Sequence, residues 1–155
     1  MTNMSATIRR AERADLEQIV ALLADDPLGS TREDASLPLA QYYLDAFQAV
    51  AADPNQLLTV AIDGDGEVIG TMQLSFIPSV ARKGALRGQI EAVRVAKGHR
   101  SSGLGQELME WAIARCKDRD CNLVQLTTDK TRPDAHRFYD RLGFTASHIG
   151  YKLML

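Results

Sequence analysis

Residues 89–117, QIEAVRVAKGHRSSGLGQELMEWAIARCK, constrain this chain more tightly than any other stretch. An apolar, strand-like run passes through Arg100, Ser101, Ser102, Gly103, Leu104 and Gly105 into a helix whose apolar stripe is Leu104, Leu108, Trp111 and Ala112. Glycine at a helix start costs backbone entropy and adds nothing to a core, so it calls for a partner that approaches the main chain. The first N–H groups of a helix lack intrahelical acceptors and sit at the positive end of its dipole, which makes them a ready anion site. Gly103 and Gly105 remove the Cβ atoms that would hold a phosphate away. Arg100 adds a positive charge, and the serine hydroxyls are further donors. The expected feature is a phosphate or diphosphate cradle; an ordinary strand-to-helix turn is the simpler alternative. Two common cradles do not fit. No G-x-x-x-x-G-K-[ST] occurs, and the run GLGQEL lacks the third glycine of a dinucleotide loop and lies late in the chain.

Hydrophobic periodicity supplies the rest of the order. TIRR reads as a short strand, and Leu16, Ile19, Val20, Leu22 and Leu23 give the helical period after it. Pro27, Gly29 and Pro38 interrupt, and a second helix is expected over roughly 38–52. QLLTVAID and EVIGTMQLSFI flank DGDG, a strong hairpin signal. After the glycine-rich helix, NLVQLTTD reads as a strand, RPDAHRFYDRLG as a short helix, and FTASHIGYKLML as a final strand or hairpin. The spacing from Gln89 to Asp129 suits a parallel crossover. The whole reads as a mixed sheet covered by helices.

At 155 residues, 45% apolar and 25% charged, the expectation is one soluble domain over 1–155. No apolar run is long enough for a membrane span, and the opening residues lack a secretory apolar core, so a cytoplasmic protein with no membrane partner is expected. Cys116 and Cys121 match neither a redox nor a zinc spacing and read as inert thiols; the three histidines fit no metal pattern, so no metal is expected. Residues 1–70 hold 12 acidic and 4 basic side chains, against 8 and 14 in residues 71–155. That asymmetry suits a protein that binds an anionic molecule with its second part, or reflects solvated surface alone.

QIEAVRVAKGHRSSGLGQELMEWAI followed by DAHRFYDRLGF resembles the GNAT superfamily of acyl-CoA-dependent N-acetyltransferases. The first stretch is similar to its [RQ]-x-x-G-x-[GA] loop, the second to its A-x-x-F-Y-x-x-x-G-F segment, and the likeness extends over almost the whole chain. It implies a central mixed, mostly antiparallel sheet of about six to seven strands flanked by about four helices. It implies acetyl-CoA as cosubstrate, with its pyrophosphate on the N–H groups from Arg100 to Gly105 and its pantetheine arm along the main chain of Val93 and Val95. The family's asparagine contact to that arm has no counterpart, since Arg132 stands at its place.

Direct acetyl transfer needs a neutral amine and a proton for the leaving sulfur, with no covalent enzyme intermediate. Glu91 is the candidate base, because a charge inside an apolar strand is costly unless it faces a cleft; a solvated sheet face is the alternative. Tyr139 follows from the resemblance as general acid, with local packing as its other reading. The first two helices and their connection are implied to wall the acceptor, which brings in Asp25, Leu28, Arg32 and Tyr42. Tyr42 at helical spacing also reads as core. The expected function is acetylation of a small-molecule primary amine, with a protein or peptide amine, or a non-catalytic acyl-CoA-binding regulatory module, as alternatives. No nucleic acid is expected, and a homodimer is possible.

Overall fold

The computed structural model describes residues 6–155; the first five residues of the expected domain lie outside that range. The chain divides into two compact units, one ending at Gln125 and the other running Leu126–Leu155.

In the first unit, β1 (Thr7–Arg10) leads through a single turn, Arg13–Asp15, into α1 (Leu16–Ala24). A second short turn, Gly29–Thr31, precedes α2 (Gln41–Ala52). Then come β2 (Gln56–Ile62), β3 (Val68–Pro78), the one-turn α3 (Ala81–Gly84), β4 (Leu86–Val95), α4 (Leu104–Asp118) and β5 (Leu123–Leu126). The strands form one sheet in sequence order, β1-β2-β3-β4-β5, and the first three pairings are antiparallel. The DGDG hairpin closes as its residues predict: Asp63 Oδ1 accepts from the N–H groups of Asp65 and Glu67, and Gly66 takes φ 86°.

The register assigns the faces. Thr59 opposes Met72, Leu57 opposes Leu74, and Leu74 opposes Ile90, so these side chains share one face, and α4 packs there through Leu108, Met109, Ala112 and Cys116. Two glycines let it come close. A Cβ on Gly70 would lie 3.1 Å from Leu108 Cδ1, and one on Gly88 would lie 2.2 Å from Cys116 Sγ. On the other face, Val60 and Val68 pack with Ala11 and Ile19, while Leu16 and Val20 pack with Leu39. Phe47 of α2 touches both clusters.

The second unit holds α5 (Pro133–Arg141), a helix with proline in its first turn that is closed by Gly143 in a left-handed conformation. The expected final strand is not formed, which leaves five strands among the described residues rather than six or seven. Ile149, Tyr151 and Leu153 keep the period of two, yet each is more than four-fifths exposed. Alternation gives a segment one apolar face; a strand also needs a ladder partner, and this segment has none here. Among the described residues, no helix is long and apolar enough to cross a membrane.

Candidate active site around β4

The pairing of β3 with β4 is irregular near its middle. Gln73 pairs with Glu91 and Thr71 with Arg94, so Ala92 and Val93 together oppose the single residue Met72. This is a β-bulge, and Ala92 takes φ 54° to make it. Non-glycine residues seldom adopt that region, and strain of this kind collects where a strand must re-aim its groups. The bulge also changes which face each side chain meets. Cross-strand partners share a face, so Glu91 and Arg94 lie on the α1 face with Gln73 and Thr71. Three residues apart in an unbroken strand, they would point opposite ways.

Glu91 is exposed on that face. Beside it runs a strip of polar side chains, whose role depends on their cross-strand partners and so is not visible residue by residue. Gln73 Nε2 and Ser75 Oγ both donate to Gln56 Oε1, at 2.9 and 2.8 Å, and Gln125 Nε2 donates to Gln89 Oε1 at 2.9 Å. The signal was present as alternation: Gln73 and Ser75, and Gln89 and Glu91, each recur at i and i+2 within otherwise apolar strands.

Beyond the bulge, Ala96 donates its N–H to Ile69 O at 2.8 Å, so Val95 turns its own main chain to the edge away from β3. The Val93 carbonyl accepts from Arg94 Nη1 at 2.9 Å, and that of Val95 accepts from Arg100 Nε at 3.2 Å.

The loop into α4 has the conformation its glycines allow. Ser101 takes φ 62° and Gly103 φ 91°, so left-handed residues alternate with Ser102 and curl the main chain ahead of the helix. Curled backbone of this kind makes anion-binding concavities. Arg100, Ser101, Ser102 and Gly103 are exposed, whereas Leu104 turns into the core and Gly105 is half-buried. A Cβ at Gly103 would meet nothing within 4 Å, so the space before the helix is open. Ser102 Oγ donates to His99 O. A diphosphate fits this cradle. Arg100 behaves differently from expectation: its guanidinium donates to Asp25 O at 3.1 Å as well as to Val95 O, and lies 3.9 Å from the Asp25 carboxylate. Its charge is anchored on the protein.

The expected acceptor wall is only partly assembled. Asp25 joins Arg100, and Leu28 donates its N–H to Asp26 Oδ1 at 2.8 Å. Arg32 is exposed, with no side-chain hydrogen bond or ion pair among the described residues. Tyr42 is 58% exposed and stacks obliquely on Tyr43, 4.6 Å between ring centroids, so it is not a core residue. Tyr43 takes the structural part instead. Its hydroxyl donates to Glu33 Oε2 at 2.7 Å and accepts from Asp34 N, and burial, with the Glu33 bond second, pushes it up to about 12. An open cavity of about 310 Å3 lies along α1, lined by Gln18, Ala21, Leu22, Asp25 and Val68; it meets the expected site only at Asp25.

Tyr139 lies on α5, in the second unit. It is half-buried, edge-on to Phe138 at 5.2 Å and to Phe144 at 6.0 Å. Burial pushes the Cys116 thiol up to about 12, with Cys121 adding to the shift, so this thiol stays protonated and inert at neutral pH.

Residues 16–144 match the model of the acetyltransferase (GNAT) family. An aminoalkylphosphonate N-acetyltransferase from Salmonella typhimurium is 29% identical over 93% of this chain and 88% of its own. A solved structure described as a transcriptional regulator from Bacillus halodurans is 48% identical, with TM-score 0.94, over 97% of this chain and 99% of its own. An acetyltransferase from Trypanosoma brucei is 25% identical, with TM-score 0.79, over 97% and 99%.

Proposed function

The chain belongs to the GNAT family of acetyltransferases, and from that premise we propose that it moves an acetyl group to the primary amine of a small molecule by direct transfer. It is an acetyl-CoA-dependent acetyltransferase, and acetyl-CoA supplies the activated acyl group when bound. The observation that carries the finer reading is the bulge of β4. Pairing with Gln73 puts the Glu91 carboxylate on the α1 face, and the bulge brings Arg94 to that same face on the strand that leads directly into the open loop before α4.

In this reading the N–H groups from Arg100 to Gly105 hold the pyrophosphate, and the main chain of Val93 and Val95 holds the pantetheine arm. Glu91 takes a proton from the acceptor ammonium, directly or through water, because only the neutral amine has a lone pair to attack with. The N–H of Val93 meets the charge that develops on the thioester oxygen. Tyr139 donates a hydrogen bond to the departing sulfur as charge builds there; a phenol near pKa 10 is a weaker acid than a thiol near 8.5, so full transfer is uphill by roughly 30-fold and solvent completes the protonation. The role of Tyr139 rests on its place in the family's segment.

For the acceptor, the amide and hydroxyl strip beside Glu91 suits a polar molecule. The Salmonella relative acts on aminoalkylphosphonates by its name. Such a molecule carries a primary amine at one end and an anion at the other, and the exposed guanidinium of Arg32, unpaired among the described residues, with Asp25 and Leu28 nearby in sequence and Tyr42 exposed on α2, is a fitting recogniser of the anionic end. The Bacillus protein's description favours a second reading, an acyl-CoA-binding regulatory module without transfer.

One assay separates the two. The purified protein is offered aminoalkylphosphonates, amino sugars, diamines and peptide amines, and release of free CoA is followed. Transfer to a small amine is expected. The same amine with Glu91→Gln loses most rate below the amine's own pKa and recovers as pH approaches it, where solvent supplies the free base. Transfer to peptides alone moves the acceptor class. No transfer to any amine, with acetyl-CoA still bound, establishes the regulatory reading.

A further inference from the structure

We propose that Arg94 and Asp26 are positioning residues that fix the acceptor-side loop, residues 25–32, against β4 beside the candidate base. The inference rests on the acetyltransferase reading for its functional half and on geometry alone for its structural half.

Asp26 follows α1, and its carboxylate is almost wholly buried, with 8% of the side chain exposed. The two oxygens have different tasks. Oδ1 accepts from the N–H groups of Leu28 and Gly29, at 2.8 and 2.6 Å, and so sets the start of the short turn Gly29–Thr31. Oδ2 lies 2.7 Å from Arg94 Nε. That nitrogen has no directed hydrogen bond, so the contact is a charge pair. Arg94 Nη1 meanwhile donates to the carbonyl of Val93, within the bulge itself. One guanidinium therefore reads the bulge on one side and the acceptor loop on the other.

Two further features leave the loop little freedom. Gly29 is packed so closely on the last turn of α1 that a Cβ there would stand 1.9 Å from Leu23 O. Arg100 adds a second, exposed tie between Val95 and Asp25. The bulge is what makes the arrangement possible, because it turns Arg94 to the same face as Glu91. The spacing between the base and the loop that carries Leu28 and Arg32 thus passes through this largely buried pair, with the exposed Arg100 tie beside it. Removing one partner of such a pair leaves the other charged and unmatched, and a displacement of about 1 Å in a reacting geometry can cost on the order of 10²-fold.

Asp26→Asn removes the anion facing Arg94, while asparagine keeps an oxygen for the Leu28 and Gly29 amides. Hydrogen exchange on the protein alone is the first readout. Amides 28–33 should exchange at least tenfold faster, with those of β3 unchanged. With the amine that gives the highest kcat/KM in the panel, acceptor KM should rise about tenfold while acetyl-CoA affinity stays within twofold. In the parent protein, Arg94→Lys, which keeps the charge, should retain most of both the exchange protection and the acceptor affinity; Arg94→Met should not. A folded Asp26→Asn protein with unchanged exchange at 28–33 overturns the proposal, whatever the activity. Faster exchange with unchanged acceptor KM overturns the functional half. If Asp26→Asn does not fold, Arg94→Met against Arg94→Lys decides by the same two readouts. Absence of transfer in the parent protein refutes the acetyltransferase reading and leaves the exchange test standing.

Discussion

Asp15 shows how much one side chain can settle. It is buried, accepts from Arg9 Nη1 and Nη2 at 2.8 and 3.1 Å, and accepts from Glu12 N at 2.7 Å. An acid here is expected in the first helical turn, where it favours the helix dipole; Asp15 in fact lies just before α1, closing the turn Arg13–Asp15. What sequence does not show is Arg9, six residues earlier on β1, because that contact exists only once strand and helix have packed. The Arg9 bonds are the main cause that holds the Asp15 carboxyl below its ordinary value, with burial opposing and the Glu12 amide assisting. A depressed folded-state pKa means that the unfolded chain binds the proton more readily, so stability rises with pH across that window. The contribution is complete above the unfolded value of about 4 and vanishes as pH falls through the folded value. Asp15→Asn should therefore cost about 1–2 kcal/mol at pH 7, the lower part of the range for charged hydrogen bonds because Arg9 is partly exposed. Urea melts at pH 7 and pH 3 check this: the gap between parent and variant should narrow at the lower pH. An equal gap at both would separate Asp15 from the titration.

At the scale of elements, the strand–loop–helix around residues 89–117 was legible because its signals are local. Glycines, a serine pair and a helical stripe all lie within one window, and α4 begins at Leu104 as that stripe predicts. The bulge was not legible. Its left-handed residue is Ala92, which carries no turn signal, and the irregularity exists only as a mismatch between β3 and β4. The last segment shows the opposite failure, a correct pattern without a pairing partner. Gly88 was equally silent in sequence, since a glycine in a strand names a close approach but not its source. Here the source is Cys116, buried on α4. Gly88→Ala should cost about 1–3 kcal/mol by overpacking. Adding Cys116→Ala, which removes the sulfur that the new methyl meets, should recover part of that loss. Strict additivity of the two changes in a thermal melt would mean that the sulfur is not what Gly88 accommodates.

For the molecule as a whole, charge and ligand belong together. Net charge is only −2, yet the basic excess falls in residues 71–155, which include the loop before α4. Several of those bases are already engaged: Arg94 with Asp26, Arg100 with Asp25, and Arg115 with Asp118. The proposed anion site therefore draws less on free side-chain charge than on main-chain N–H groups held in a left-handed curl, an arrangement that exists only in the folded state. A ligand bound there must stabilise the fold by mass action. Acetyl-CoA at about 100 times its Kd should add roughly 2.7 kcal/mol. In a chain of this length, each kcal/mol moves Tm by about 2–4 °C, so a rise on the order of 5–10 °C is expected. Gly103→Val is the matching control. The added side chain would stand in open space, but φ 91° is a conformation that valine resists, so the curl should open while α4 persists through its buried face. Circular dichroism should show the helix retained, and the acetyl-CoA shift should fall below about 1 °C, too small for binding near this Kd. Desulfo-CoA, which keeps the phosphates and lacks the thioester, should shift the parent protein nearly as far as acetyl-CoA does. A full shift in folded Gly103→Val protein would place the phosphates elsewhere, because no other change in that variant could preserve the binding energy of a curl that has been lost.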